Sequence, residues 1–370
     1  MSTTSDPTER TARPNRVVNS YLALQTEIRA AHLLDRRPGY YLTVFVILVL
    51  AWAGAWTGFA MLGASWFQLL IAAVIGILMT QFAFLAHEAA HSQVFASWTA
   101  NEWSARILGN GFTGISYAMW QQKHTRHHVN PNVIDKDPDI GSGTMVFHDA
   151  AAAERPRRLR FITRHQGFLL FPVLPFLGIA LQIDSFRYLF RRGEVHRRGT
   201  EIAILATRVL AVPVLAFWLL PLGHATAFVG VQQAVFGVYM GMTFAPNHKG
   251  MTIFPATSTA DFLTRQVLSS RNITGGRFMD VLMGGLNHQV EHHLFPTMPR
   301  PMLRRAARIV PPLPRPRHPL HGHHPPRLLG HRDPLPQRRR PRTRLGVRVP
   351  AGAARRHSTG TGRPHGMMGT

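Results

Sequence analysis

The sequence predicts an all-α membrane protein, with four transmembrane helices and a helical cap on the cytoplasmic side. Two observations predict it. No Asp, Glu, Lys or Arg occurs between Arg37 and Glu88, and none between Arg208 and Lys249. Basic residues crowd the segments that flank these stretches and are missing from the short turns within them. A helix rises about 1.5 Å per residue and needs about 20 apolar residues to cross the hydrocarbon core, so each stretch is long enough to cross twice.

The elements follow in chain order. Residues 1–37 are a polar, cytoplasmic N-terminal segment without the apolar core and cleavage site of a secretory signal, so the first span is expected to be an uncleaved anchor. The first two spans are expected over residues 40–60 and 66–86, joined by a charge-free turn from Met61 to Ser65. A polar region over residues 88–198 holds fourteen Lys or Arg. Within it, residues 167–183 are apolar but short, and Pro172 and Pro175 interrupt them. That pattern predicts an interfacial, half-buried helix. The last two spans are expected over residues 202–220 and 225–245, joined by the turn at 221–224. Arg208 falls inside the third span and is expected to snorkel back to the cytoplasmic interface. The positive-inside rule then places the N-terminus, the middle region and the C-terminal region in the cytoplasm, which an even number of crossings satisfies.

The membrane domain, residues 38–310, is followed by a segment of different character. Residues 311–370 carry thirteen Arg against the single acidic residue Asp333, and twelve of the 27 prolines. Such a composition cannot bury enough apolar surface to fold. It predicts a disordered basic tail read out of frame from near Pro311; a native basic tail that touches anionic lipid is the alternative. This tail holds about half of the excess behind the net charge of +24, and much of the rest flanks spans. No basic face interleaved with aromatics remains, so a nucleic-acid partner is not expected.

The chain has no cysteine and 21 histidines, so a transition metal must be held by imidazole and carboxylate. His87 and His91 sit at i, i+4 in HEAAH, at the cytoplasmic end of the second span. His124, His127 and His128 sit at i, i+3, i+4 in HTRHH, and Gln289, His292 and His293 repeat that spacing in QVEHH, after His288. Each set shares one helix face. His248 lies just past the fourth span. The charge-derived topology puts all of these on one side of the membrane. One such box is weak evidence, and an isolated histidine such as His32, His148, His165, His196 or His224 is an ordinary surface or core residue. The boxes together, in a membrane protein, supply enough imidazoles for two irons, where zinc would need only about four ligands.

In these residues the chain resembles the membrane fatty-acid desaturase family. HEAAH (87–91), HTRHH (124–128) and QVEHH (289–293) are similar to its three histidine boxes in order and spacing, and DKDPD (135–139) and EHHLFPTMPR (291–300) add to the likeness. The resemblance covers roughly Tyr40 to Val310. It implies a di-iron centre ligated by His87, His91, His124, His127, His128, His292 and His293, with His248 matching the extra histidine after the last span. Gln289 in place of the first histidine of box three resembles the front-end subgroup; it would ligate weakly, hold a water, or leave an open position, with His288 the runner-up there.

The resemblance implies O2-dependent insertion of a double bond into a long-chain acyl group linked to CoA, a carrier or a lipid. Many front-end members carry a fused cytochrome with a His-Pro-Gly-Gly motif, which these 370 residues lack, so a separate electron donor such as ferredoxin with its reductase is expected. A multi-pass protein of a bacterial plasma membrane, with its active site facing the cytoplasm, is the expected setting. Glu88, Glu291, Asp135, Asp137 and Asp139 are candidates to orient the imidazoles. Trp120 and Gln121 could border a substrate channel, although interfacial anchoring also explains Trp120. Lys123, Arg126 and Lys249 suit a head group or an acidic donor, although the positive-inside bias also explains them. The competing readings are a membrane di-iron hydroxylase of alkyl, sterol or carotenoid substrates and, more remotely, a metal transporter, which needs ionisable groups in mid-span.

Overall fold

A computed structural model describes residues 20–141 and 145–310. The expected tail, 311–370, and the first 19 residues of the N-terminal segment lie outside the described residues. The described residues are helical, without a strand: α1 (residues 20–30), α2 (Pro38–Leu62), α3 (Gln68–Ala90), α4 (Trp98–Arg106), a π-helix (Ile107–Thr113), α5 (Tyr117–Val129), α6 (Asp149–Ala153), α7 (Arg160–Val173), α8 (Leu177–Leu189), α9 (Arg198–Leu219), α10 (Leu222–His248), α11 (Phe262–Ser269), α12 (Gly276–Leu282), α13 (Gln289–Leu294) and α14 (Arg300–Ala306).

Five helical stretches are long and apolar enough to cross a membrane: 38–62, 68–90, 157–189, 198–219 and 222–248. Four match the spans read from charge, each shifted by up to four residues. The fifth contains the segment expected to be interfacial and is longer than the sequence suggested. Pro172 falls in the last turn of α7, and Pro175 lies in the short 3-10 turn Leu174–Phe176 that joins α7 to α8. Proline is tolerated where a new helical turn begins, as at Pro175; Pro172 stands inside α7, and the helical path continues past both.

Leu42, Ile47 and Leu50 of α2 and Phe217 and Trp218 of α9 are exposed, which suits contact with acyl chains. Inside, Ile75, Met79 and Phe82 of α3 pack with Phe228 and Phe236 of α10. The two helices approach so closely that a Cβ at Gly76 would lie 2.7 Å from the carbonyl oxygen of Gln232. A second apolar cluster lies under the cap. Leu24 and Ile28 of α1 cover Leu294, Phe295, Met298 and Leu303, so the N-terminal helix seals the segment that carries box three.

Between α3 and α5 the chain folds α4 and the π-helix against α3. Gly114 turns it back in the left-handed region at φ +77°, where a Cβ would also meet Gln182 Nε2 at 2.9 Å. Arg208, expected to snorkel, packs against the π-helix. Its side chain is buried, and Nε donates to the carbonyl of Phe112 at 2.9 Å. The end of the π-helix leaves carbonyls without helical partners, and the arginine satisfies one of them.

Candidate metal centre

Each histidine is delivered by a helix end. The last turn of α3 presents His87, and His91 follows as its C-cap. α5, capped by Ser116, carries His124, His127 and His128. α10 ends on His248, and α13 carries Gln289, His292 and His293. The structure brings eight histidines into two groups. His87, His91, His124, His128 and His292 form one, and His127, His248 and His293 the other, each with ring nitrogens within 4.8 Å of one another. His128 and His293 stack between the groups, with ring centroids 4.2 Å apart.

The hydrogen bonds of the smaller group determine its tautomers. His248 Nδ1 donates to the backbone carbonyl of Ser269 at 2.9 Å. A carbonyl can only accept, so the proton sits on Nδ1 and Nε2 carries a lone pair, which faces the Gln289 amide nitrogen at 2.9 Å as well as His127. His127 Nδ1 donates to the Asp137 carboxylate at 3.0 Å, and His293 Nδ1 to Gln266 Oε1 at 2.9 Å, with the same consequence. His127 Nε2 and His248 Nε2 nevertheless face each other at 3.3 Å. Two lone pairs that close repel unless a cation lies between their directions. His293 Nε2 is buried without a hydrogen-bond partner.

The larger group makes the same demand. His124 Nε2 lies 3.1 Å from His87 Nε2 and 2.9 Å from His91 Nε2, and one proton cannot serve both pairs. Both ring nitrogens of His128 and Nε2 of His292 are buried without partners. Burial, reinforced by neighbouring imidazoles, holds His124, His128, His292 and His293 well below the ordinary histidine pKa. Burial lowers His91 to about 3. Neutral imidazole is the ligating form. The donor set therefore fits metal ions, one for each group.

The surrounding carboxylates differ in what they touch. Asp137 holds His127 and accepts from Asn132 N at 2.7 Å and Asp139 N at 2.9 Å. Asp139 pairs with Lys123 at 2.8 Å and lies 3.4 Å from His127 Nδ1. Burial acts to raise the Asp139 carboxyl, but Lys123, His127 and Lys249 together hold it well below its usual range. Glu88 is clamped by Arg300 through Nε and Nη2, and Arg300 N donates to Tyr41 Oη at 3.2 Å. Glu291 accepts from Asn272 Nδ2 at 2.8 Å. His288 lies in neither metal group and meets Asp280 at 3.1 Å. The Gln289 amide lies 2.9 Å from His248 Nε2 and accepts from Asn247 Nδ2 at 3.0 Å.

Gln266, the Ser269 carbonyl and Arg300 escaped the sequence reading. The first two act through long-range backbone placement that no spacing encodes. Arg300 stood inside the EHHLFPTMPR segment, but its partner Glu88 is 212 residues away.

A cavity lies beside the larger group, with His87, Ala86, Ile115, Tyr117, Trp120 and Phe244 among its lining residues. Trp120 stacks on His124 with centroids 4.2 Å apart. Trp120 therefore belongs to the cavity wall; Gln121 is not among the lining residues.

A family profile described as fatty acid desaturase matches residues 64–325, more than half of the chain. The Delta(8)-fatty-acid desaturase 2 of Arabidopsis thaliana is 28% identical over 80% of this chain and 68% of its own length. The Delta(8)-fatty-acid desaturase of Helianthus annuus is 29% identical over 79% and 67%. The Delta(6)-fatty-acid desaturase fat-3 of Caenorhabditis elegans is 27% identical over 81% and 70%. These relatives are eukaryotic and lend no support to the expected bacterial membrane. The profile match, with the histidine geometry beneath it, carries one conclusion: the chain belongs to the fatty acid desaturase family, membrane oxidoreductases of lipid metabolism.

Proposed function

We propose that the chain is a front-end fatty-acyl desaturase that holds two iron ions, one in each histidine group, and introduces a double bond into an acyl segment lying in the cavity beside His87. The observation that carries this reading is the opposed pair of Nε2 atoms of His127 and His248, 3.3 Å apart, in a histidine assembly whose larger group borders an apolar cavity at His87. When bound, the irons supply redox chemistry: an acyl CH2–CH2 unit, O2, two electrons and two protons become CH=CH and two waters.

The protein's own residues bind, orient and exclude. The apolar wall takes an acyl chain, and burial of each methylene contributes about 0.8 kcal/mol, so few polar contacts are needed. Trp120, stacked on His124, limits water access from that side. Asp137 keeps the proton of His127 on Nδ1. Gln289 borders the smaller group: its Nε2 faces His248 Nε2, and its Oε1 is held by Asn247 Nδ2. His288, bonded to Asp280, has no role in that position.

Topology is part of the proposal. His91 ends one candidate span and His248 ends another, yet both histidines reach His128 and His293 in the same assembly. The chain between them must therefore cross an even number of times. α9 and α10 account for two crossings, which leaves 157–189 to lie along the membrane or enter and return. Four crossings with the site facing the cytoplasm follow from the basic flanks. A separate protein supplies the electrons; Lys123, Arg126 and Lys249 lie on the site's side of the membrane and suit an acidic donor.

Expression in a desaturase-deficient host, followed by mass spectrometry with double-bond location, tests the reading. A new unsaturated acid that disappears with His127→Ala is expected. Hydroxylated acyl products instead would assign the chain to hydroxylase chemistry.

A further inference from the structure

The first turn of α5 is closed from outside by a side chain of another helix. A helix leaves its first N–H groups without intrahelical partners. Here Tyr117 N donates to Asn110 Oδ1 at 2.8 Å, and Met119 N to Ser116 Oγ at 3.1 Å. Ala118 N donates to both carboxylate oxygens of Glu201, at 3.1 and 3.3 Å. Ser116 Oγ, the local cap, itself donates to Glu201 Oε2 at 2.5 Å. Glu201 stands in the first turn of α9, 85 residues beyond Ser116.

This carboxylate has no exposed surface, and its counter-ion Arg106 is 1% exposed. Arg106 Nε donates to Glu201 Oε1 at 3.1 Å and Nη1 to Glu102 Oε1 at 2.9 Å. The guanidinium also lies over the ring of Tyr117, 4.9 Å from its centroid. Glu201 thus sets a carboxylate at the N-terminus of α5, where the helix dipole favours an acceptor. Buried ion pairs add little net stability, because desolvation offsets their attraction. This one is directed at a single helix end. That helix supplies His124 and His128 to one group and His127 to the other, and Ser116, Tyr117 and Trp120 to the cavity wall.

We infer that Glu201 is a positioning residue: its carboxylate, held by Arg106, fixes the axial position and rotation of α5, and so sets the three box-two histidines and the cavity wall together. The consequence for metal binding rests on the functional reading above; the positioning does not.

Hydrogen exchange of the metal-free full chain in phosphatidylcholine nanodiscs tests the positioning, and iron bound per chain tests its consequence. In Glu201→Ala the amides of 118–120 should exchange roughly tenfold faster, the size expected for loss of a charge-assisted hydrogen bond. Amides of α10 should be unchanged, and bound iron should fall. Glu201→Gln keeps an acceptor for Ala118 N and should restore most of both. If Glu201→Ala does not fold, Glu201→Asp, which keeps the charge facing Arg106 but draws the carboxylate back from Ala118 N by one methylene, should still speed exchange in α5 selectively. Unchanged exchange in α5, or equal acceleration in α5 and α10 in both variants, overturns the inference. Selective loosening of α5 in a chain that makes no unsaturated acid would leave the positioning intact and defeat only the functional reading.

Discussion

Asp137→Asn isolates the part of the account that concerns proton placement. Asp137 Oδ1 accepts from Asp139 N at 2.9 Å, Oδ2 accepts from Asn132 N at 2.7 Å, and His127 Nδ1 lies 3.1 and 3.0 Å from the two oxygens. An asparagine keeps one oxygen. Its amide group then faces a backbone N–H, donor against donor, and the charge that holds the His127 proton on Nδ1 is gone. His127 becomes free to carry its proton on Nε2, where it cannot ligate. Loss of such an orienting carboxylate weakens metal binding by about 10–100-fold, or about 1.4–2.7 kcal/mol. The assay is a titration of the purified full chain with ferrous or cobalt ion against a competing chelator. Thermal unfolding of the metal-free variant serves as the control, because breaking one of the two backbone links also costs stability. Metal affinity within twofold of the parent, in a folded variant, would refute the reasoning.

Other expected outcomes follow the same logic. Arg300→Ala strands the buried Glu88 carboxylate and should cost about 3–5 kcal/mol, read as a lowered unfolding midpoint with helix content otherwise retained. Gln289→His offers the smaller group a fourth imidazole, so tighter metal binding in the chelator competition is expected; weaker binding would place Gln289 outside the site. Acid should destabilise the metal-free fold. His91 titrates near 3 when folded and near 6.5 when unfolded, so the unfolded chain binds more protons between those values. Stability is therefore full above about pH 6.5 and declines as pH falls toward about 3, and a denaturant series that stays flat from pH 7 to about pH 4 would contradict this. Ala86→Phe fills the cavity and should abolish product while leaving bound iron unchanged, which separates substrate space from the metal groups.

The histidine boxes were legible because helix spacing puts i, i+3 and i+4 on one face, and charge placed those faces on one side of the membrane. Their division into groups of five and three was not legible. It depends on how α3, α5, α10 and α13 cross, which spacing does not encode. The acceptors that set the tautomers were hidden for the same reason: one is the Ser269 backbone carbonyl, and another is Gln266, in a helix with no motif. The prolines at 172 and 175 suggested a short segment, yet Pro175 opens a short turn and Pro172 falls only in the last turn of α7, and the helical path runs over 157–189. Arg208 looked like a residue at the edge of a span; a carbonyl of the π-helix, 96 residues earlier, draws it inward. Glu201 gave no signal, because its partners lie at least 83 residues away in sequence.

The central claim is that eight histidines form two adjacent metal groups. Counting iron in the full chain, loaded anaerobically and freed of excess metal, tests it most directly, with His248→Ala measured alongside. The account predicts two irons per chain, falling toward one when His248 is removed from the three-histidine group. A single iron in the parent chain, or two that persist in the variant, would contradict it.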